Sequence, residues 1–269
     1  FHFWAPDAYE GAPTAVAGFI GAGSKLASFF LLTKFTLVAL GSQRGGAWWG
    51  GWEAGWAPVV ALLAAASMVW GNLGALRQRN VKRLLAYSAV AHAGYTLTAL
   101  VGVGEQAMPA VVFYAATYAL TALGAFGVVG MVESAGRGSD FEDFRGLVGR
   151  SPAVALCFAV FVLSLAGIPP MVGFYAKLSV LQALISSGQG VDIALAVFAV
   201  MMSLVGAFYY LRVVKLMYFD APTQTAAIEA PTDVRIVLGL NGALVLLLGV
   251  VPGGLMALCA SALASMMAG

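Results

Sequence analysis

The sequence predicts an all-α integral membrane protein, a polytopic helix bundle with about seven spans, one of them discontinuous. Three observations predict it. Of 269 residues, 61% are hydrophobic and 10% charged, and the mean hydropathy of +0.90 excludes an ordinary soluble domain. Several apolar runs exceed the roughly 20 residues that cross a bilayer. The basic residues gather in alternate loops, as membrane topology requires.

The stretch FHFWAPDAYEGAP opens the chain and holds two prolines. Residues 1–12 read as the end of an earlier broken helix and its connection. Because the sequence starts at Phe1 with neither a methionine nor a signal peptide, it is expected to be part of a longer chain. The apolar runs then place a transmembrane bundle over residues 13–269, with spans at 13–40, 56–76, 84–103, 109–132, 152–185, 193–218 and 234–251. The loop 41–55 pairs glycines with tryptophans and reads as an interfacial aromatic belt. The loop 133–151 is polar and mixed in sign, with a short amphipathic segment at DFEDFRGL. Glycine, at 33 residues, suits close helix packing in a membrane.

The fifth run is 34 residues long, about 51 Å as a continuous helix. It is either two crossings or one interrupted crossing. Within it, LAGIPPMVGFYAK carries Pro169 and Pro170, which remove backbone donors and clash with the preceding turn. Charge placement decides between the alternatives. With one crossing, Arg77, Arg79, Lys82, Arg83, Arg137, Arg145, Arg150, Arg212, Lys215 and Arg235 share one side and only Arg44 lies opposite. With two, Arg212, Lys215 and Arg235 change sides and the bias weakens. One crossing, broken around Gly167–Gly173, puts residues 1–12 in the cytoplasm and the C-terminus outside.

Several chemistries lack a pattern here. Cys157 and Cys259 stand far apart with no CxxC pair, so disulfide, zinc and iron–sulfur readings have no support. No metal-ligand spacing, nucleophile–base pair, phosphate-binding loop or nucleic-acid signature occurs, and no catalytic residue is assigned.

Three lysines, Lys25, Lys34 and Lys177, fall inside apolar runs, whereas the acidic residues lie in loops or at span edges. Lys25 is twelve residues past Pro13, about 18 Å along a helix and near mid-membrane. A lysine there either snorkels or serves a function, and mid-span placement strains snorkelling. Burial disfavours the charged form of a lysine, which lets it exchange a proton near neutral pH. Lys34 lies nearer the outer end and suits snorkelling. Lys177 follows the proline break, where half-helix ends can stabilise ions and hydrate a cavity. His92 could shuttle protons, because imidazole titrates near neutrality, or could be a hydrogen-bonded packing residue. Tyr118 belongs with Ser88, Tyr95, Tyr114 and Tyr175, which could line a hydrated path or simply pack. Lys82 and its neighbouring arginines read as topology signals.

The stretches FHFWAPDAYEGAPT (1–14), NLGALRQRNVKRLLAYSAVAHAGY (72–95) and SLAGIPPMVGFYAK (164–177) resemble the antiporter-like membrane subunits of respiratory complex I. The lysine after GIPP points to the subunit N branch of bacterial NADH-quinone oxidoreductases. The resemblance implies fourteen helices in two inverted repeats, each with a broken helix. This sequence then covers the end of the seventh helix and helices eight to fourteen. It implies that Lys25 is the eighth-helix lysine and Lys177 the broken-helix lysine of a proton path, with an upstream lysine and glutamate before Phe1. It further implies a proton-translocating subunit in the bacterial inner membrane, driven by quinone reduction in sibling subunits. Those partners would carry NAD, FMN, iron–sulfur clusters and quinone, and this chain no redox centre or cofactor of its own. Its partners would be the other membrane subunits, the lipid bilayer and protons. Two alternatives stay open: an Mrp-type or stand-alone sodium/proton antiporter, and a structural membrane spacer.

Overall fold

Residues 3–48, 51–102, 107–136, 138–186, 188, 190–222, 228 and 231–268 are described by the structure, a computed structural model. His2 and Arg137 lie outside them. A short helix α1 (Ala5–Gly11) leads into α2 (Thr14–Phe19) and α3 (Lys25–Lys34), joined by a π-helical turn at Ile20–Ser24 and followed by another at Phe35–Ala39. Then come β1 (Gly46–Trp48), β2 (Gly51–Glu53), α4 (Trp56–Leu76), α5 (Val81–Val101) and α6 (Ala107–Ser134). The single turns α7 (Phe141–Phe144) and α8 (Leu147–Arg150) precede α9 (Pro152–Ala166) and α10 (Val172–Ile185). Helices α11 (Gly190–Phe219), α12 (Thr232–Val250) and α13 (Gly253–Ala268) complete the chain. Six helical stretches among the described residues are long and apolar enough to cross a membrane.

Helices α5 and α6 form the middle of the bundle, 89% and 78% buried, against 28% or less for the other spanning helices. The outer helices turn side chains such as Leu62, Leu204, Phe208 and Leu240 outward, as a lipid-facing surface allows. Two sets of contacts mark the ends of the bundle. At one end Arg83 pairs with Asp7 (2.9 Å), Asn80 bridges Asp140, the Gly146 amide donates to the Leu216 carbonyl (3.1 Å), and Arg145 meets Asp220 (3.6 Å). At the other end the Arg44 guanidinium donates to the Val101 carbonyl, and Gly102 packs against the Ala183 carbonyl. Helix α9 starts at the first end and α10 finishes at the second, so together they make one traverse.

The interruption between them is built from caps. Gly167 takes the left-handed conformation (φ 82°) that ends a helix, and the Gly167 and Ile168 amides both donate to the Leu163 carbonyl at 3.1 Å. The Gly173 amide near the start of α10, which lacks a helical acceptor there, donates to Ser164 Oγ at 3.2 Å. Helix α12 presses its backbone onto this break. A Cβ at Gly249 would sit 2.0 Å from the Pro170 carbonyl oxygen, whereas one at Gly239 would meet nothing within 4 Å. Gly249→Ala is therefore expected to destabilise the protein by about 1–3 kcal/mol. Thermal unfolding measured beside Gly239→Ala, which should change little, checks this.

Two local features add to the sequence expectation. Within the 41–55 loop, Gly46–Trp48 pairs antiparallel with Gly51–Glu53, a short hairpin of the kind aromatic residues favour. And a further helix, α13, follows the break at Pro252; its 16 residues are shorter than a full span, so it gave no spanning signal.

Candidate proton-transfer site

Lys25 opens α3 directly after the π-helical turn, a local change of register that redirects side chains. Its half-buried Nζ donates to the Ala89 carbonyl of α5 and lies 4.4 Å from the centre of the Tyr118 ring. Tyr9, Ser24, Ser28 and Phe29 line a cavity of about 250 Å³ beside it.

His92 is 5% exposed and both ring nitrogens are engaged. Nδ1 lies 2.8 Å from the Tyr114 hydroxyl and Nε2 3.2 Å from the Tyr210 hydroxyl. A neutral imidazole has one donor and one acceptor, so one phenol donates to the ring and the other accepts from it. Tyr210 also bonds Ser88. The Tyr118 ring stands 4.9 Å from His92 and the Tyr95 ring 5.8 Å, centre to centre.

Lys177 sits on α10 one turn past the break. It donates to the Ala166 carbonyl (2.7 Å) and to Ser203 Oγ of α11 (2.8 Å), and lies 5.3 Å from the centre of the Tyr95 ring. Ala166 is the last residue of α9, so its carbonyl belongs to a half-helix end with no helical donor left. The negative end of that helix dipole favours a positive charge on Lys177.

The groups form a row: Lys25, Tyr118, His92, Tyr95, Lys177. Proton passage across such gaps needs water. A cavity of about 10 Å³ lined by His92, Tyr114, Tyr118, Thr121 and Ser164 holds about one. Among the described residues no carboxylate pairs with Lys25 or Lys177, and no group of three His, Cys, Asp or Glu side chains could hold a metal. Tyr114, Tyr118, Tyr95 and Ser88 all join the network. Tyr175 packs edge-on against Phe113, outside the row. Lys34 is exposed.

Sequence reading missed Asn72, Ser203, Tyr209 and Tyr210. The only signal for them was a Tyr-Tyr doublet within an apolar run. It also read Lys82 as a topology signal. Lys82 is 5% exposed, bonds the Ala12 carbonyl at 2.6 Å and pairs with Glu133 at 3.5 Å. The turn between α1 and α2 folds over it, a contact between distant segments.

A family model described as NADH:quinone oxidoreductase/Mrp antiporter, transmembrane, matches residues 1–203. Subunit N of the NADH-quinone oxidoreductase of Polaromonas naphthalenivorans is 49% identical over 98% of this chain and 53% of its own length. The chain thus spans about half the length of the curated relatives it matches. Among solved structures, a chain of respiratory complex I from Thermus thermophilus superposes with TM-score 0.78 and 34% identity, over 95% of this chain and 54% of that one. A chain of the Mrp complex from Dietzia sp. DQ12-45-1b gives TM-score 0.84 at 22% identity, over 98% and 55%, a likeness of fold.

Proposed function

Because the chain belongs to the NADH:quinone oxidoreductase/Mrp antiporter transmembrane family, we propose that it carries protons across the bacterial inner membrane as a subunit of an NADH-quinone oxidoreductase. One observation carries this reading most: the row from Lys25 through Tyr118, His92 and Tyr95 to Lys177 crosses the bundle beside the break, and among the described residues neither lysine has a carboxylate partner. Lys25 relays protons centrally and Lys177 loads and releases them toward the outside. Electron transfer takes place in partner subunits, which hold flavin, iron–sulfur clusters, NAD and quinone; this chain has no redox centre. The end bearing Arg83, Arg145 and Lys215 faces the cytoplasm, and the C-terminus lies outside, in keeping with the positive-inside rule. The 49% identity to a subunit N favours this over sodium/proton antiport.

The test uses inner-membrane vesicles energised with NADH. Proton uptake should be independent of sodium, and Lys25→Ala should lower this subunit's share of the protons moved per NADH oxidised by at least roughly tenfold in an assembled complex. Uptake that requires sodium would shift the reading to an antiporter. Normal pumping by assembled Lys25→Ala would remove Lys25 from the path.

A further inference from the structure

Asn72 is an amide held among apolar helices and 1% exposed. Its neighbours fix how it is turned. Nδ2 donates to the Met68 carbonyl at 2.9 Å, and that oxygen can only accept, so the nitrogen must face it. Oδ1 accepts from the Tyr209 hydroxyl at 3.1 Å, which holds the amide in that sense. The second hydrogen of Nδ2 then goes to the Tyr95 hydroxyl oxygen at 3.3 Å. Tyr95 must accept there, so its own hydroxyl hydrogen turns away from Asn72.

Tyr95 also lines the cavity of about 270 Å³ that contains Lys177. An ammonium has three N–H donors. Two go to the Ala166 carbonyl and Ser203, and the face of Tyr95 lies 5.3 Å from Nζ, within reach of a cation–π contact. When Lys177 releases a proton to cavity water, the amine keeps those two hydrogen bonds and gains a lone pair on its remaining side. A lone pair needs a donor. A carbonyl cannot supply one and a ring face cannot; the Ser203 hydroxyl can only by giving up its role as acceptor, whereas the hydroxyl hydrogen of Tyr95 can serve it through one water of the cavity.

We propose that Asn72 and Tyr209 are positioning residues that hold Tyr95 as the partner of Lys177 in both charge states, with the ring facing the ammonium and the hydroxyl hydrogen serving the free amine. This rests on the proton-carrying role of Lys177 given above. Tyr95 keeps its own proton throughout; the proton that leaves Lys177 goes to water.

The experiment measures protons moved per NADH oxidised in vesicles containing the whole complex, with subunit content checked for each variant. Tyr95→Phe keeps the ring and removes the hydroxyl, and should lower this subunit's share of the ratio roughly two- to tenfold, the scale of one hydrogen bond. Asn72→Leu should match it. The double variant should be no worse than either single one, because both act through the same hydroxyl. Tyr95→Leu, which loses the ring as well, should fall further. If Asn72→Leu does not assemble, Tyr209→Phe replaces it in the same cycle. A wild-type ratio in Tyr95→Phe, or losses that multiply in the double variant, would overturn the proposal. Lys177→Ala separates the two levels: if it leaves pumping intact, the role of Lys177 fails; if it abolishes pumping while Tyr95→Phe does not lower it, only the positioning unit fails.

Discussion

Lys177→Ala is expected to leave an assembled complex that oxidises NADH but moves at least roughly tenfold fewer protons through this subunit, the scale of losing a positioned proton-transfer group. Assembly should survive because the partners left behind are tolerant. The partners are the Ala166 carbonyl and Ser203 Oγ, and Lys177 and Ser203 line a cavity of about 270 Å³, where water can replace an amine. Lys177→Arg sharpens the test. Arginine keeps the positive charge at the end of α9 but does not give up its proton in proteins. If Lys177 merely supplied a charge that holds neighbours together, arginine would restore pumping. A relay needs the proton to leave, so arginine should be as defective as alanine. Restoration by arginine would favour the structural-spacer reading.

That residue was legible in the sequence for the same reason that it matters. A charge inside an apolar run is costly, so Lys25 and Lys177 stood out without any knowledge of the fold. The break was legible because Gly167, Pro169 and Pro170 cannot continue a helix, and charge bias across the loops reduced the 34-residue run to one crossing. His92 and Tyr118 were recognisable as groups that could carry chemistry, but their meeting was not. Which faces of α5, α6 and α11 turn toward one another is set by packing between helices, and His92 and Tyr210 meet across 118 positions of sequence. Asn72 and Tyr209 are 137 positions apart in sequence and are neutral, so beyond the Tyr-Tyr doublet nothing local marked them. The sequence read Lys82 as a topology signal by its place among arginines; only the fold brings the Ala12 carbonyl and Glu133 onto it. Helix α13 escaped for a different reason, since 16 residues of small apolar character satisfy neither the length of a span nor the pattern of a loop.

Glu133→Ala is expected to produce a large loss of stability. The carboxylate accepts from Thr14 Oγ and faces Lys82 at 3.5 Å, with side-chain exposures of 28% for Glu133 and 6% for Lys82. Removing it leaves a buried ammonium with the Ala12 carbonyl as its remaining hydrogen-bond acceptor. Stripping one partner from a fully buried pair costs about 3–5 kcal/mol; the partial exposure of Glu133 brings this to about 2–3 kcal/mol. Thermal unfolding of the solubilised complex should show a lowered midpoint. The pair joins α5, α6 and the α1–α2 turn, so loosening should appear first as proteolysis within residues 3–14. Lys82→Met alone should cost less, because Glu133 still reaches solvent. The double replacement Lys82→Met with Glu133→Leu should recover most of the loss, since an apolar pair needs no desolvated charge. An unchanged midpoint in Glu133→Ala, or a double variant no better than Glu133→Ala, would show that the ion pair does not hold this end of the bundle together.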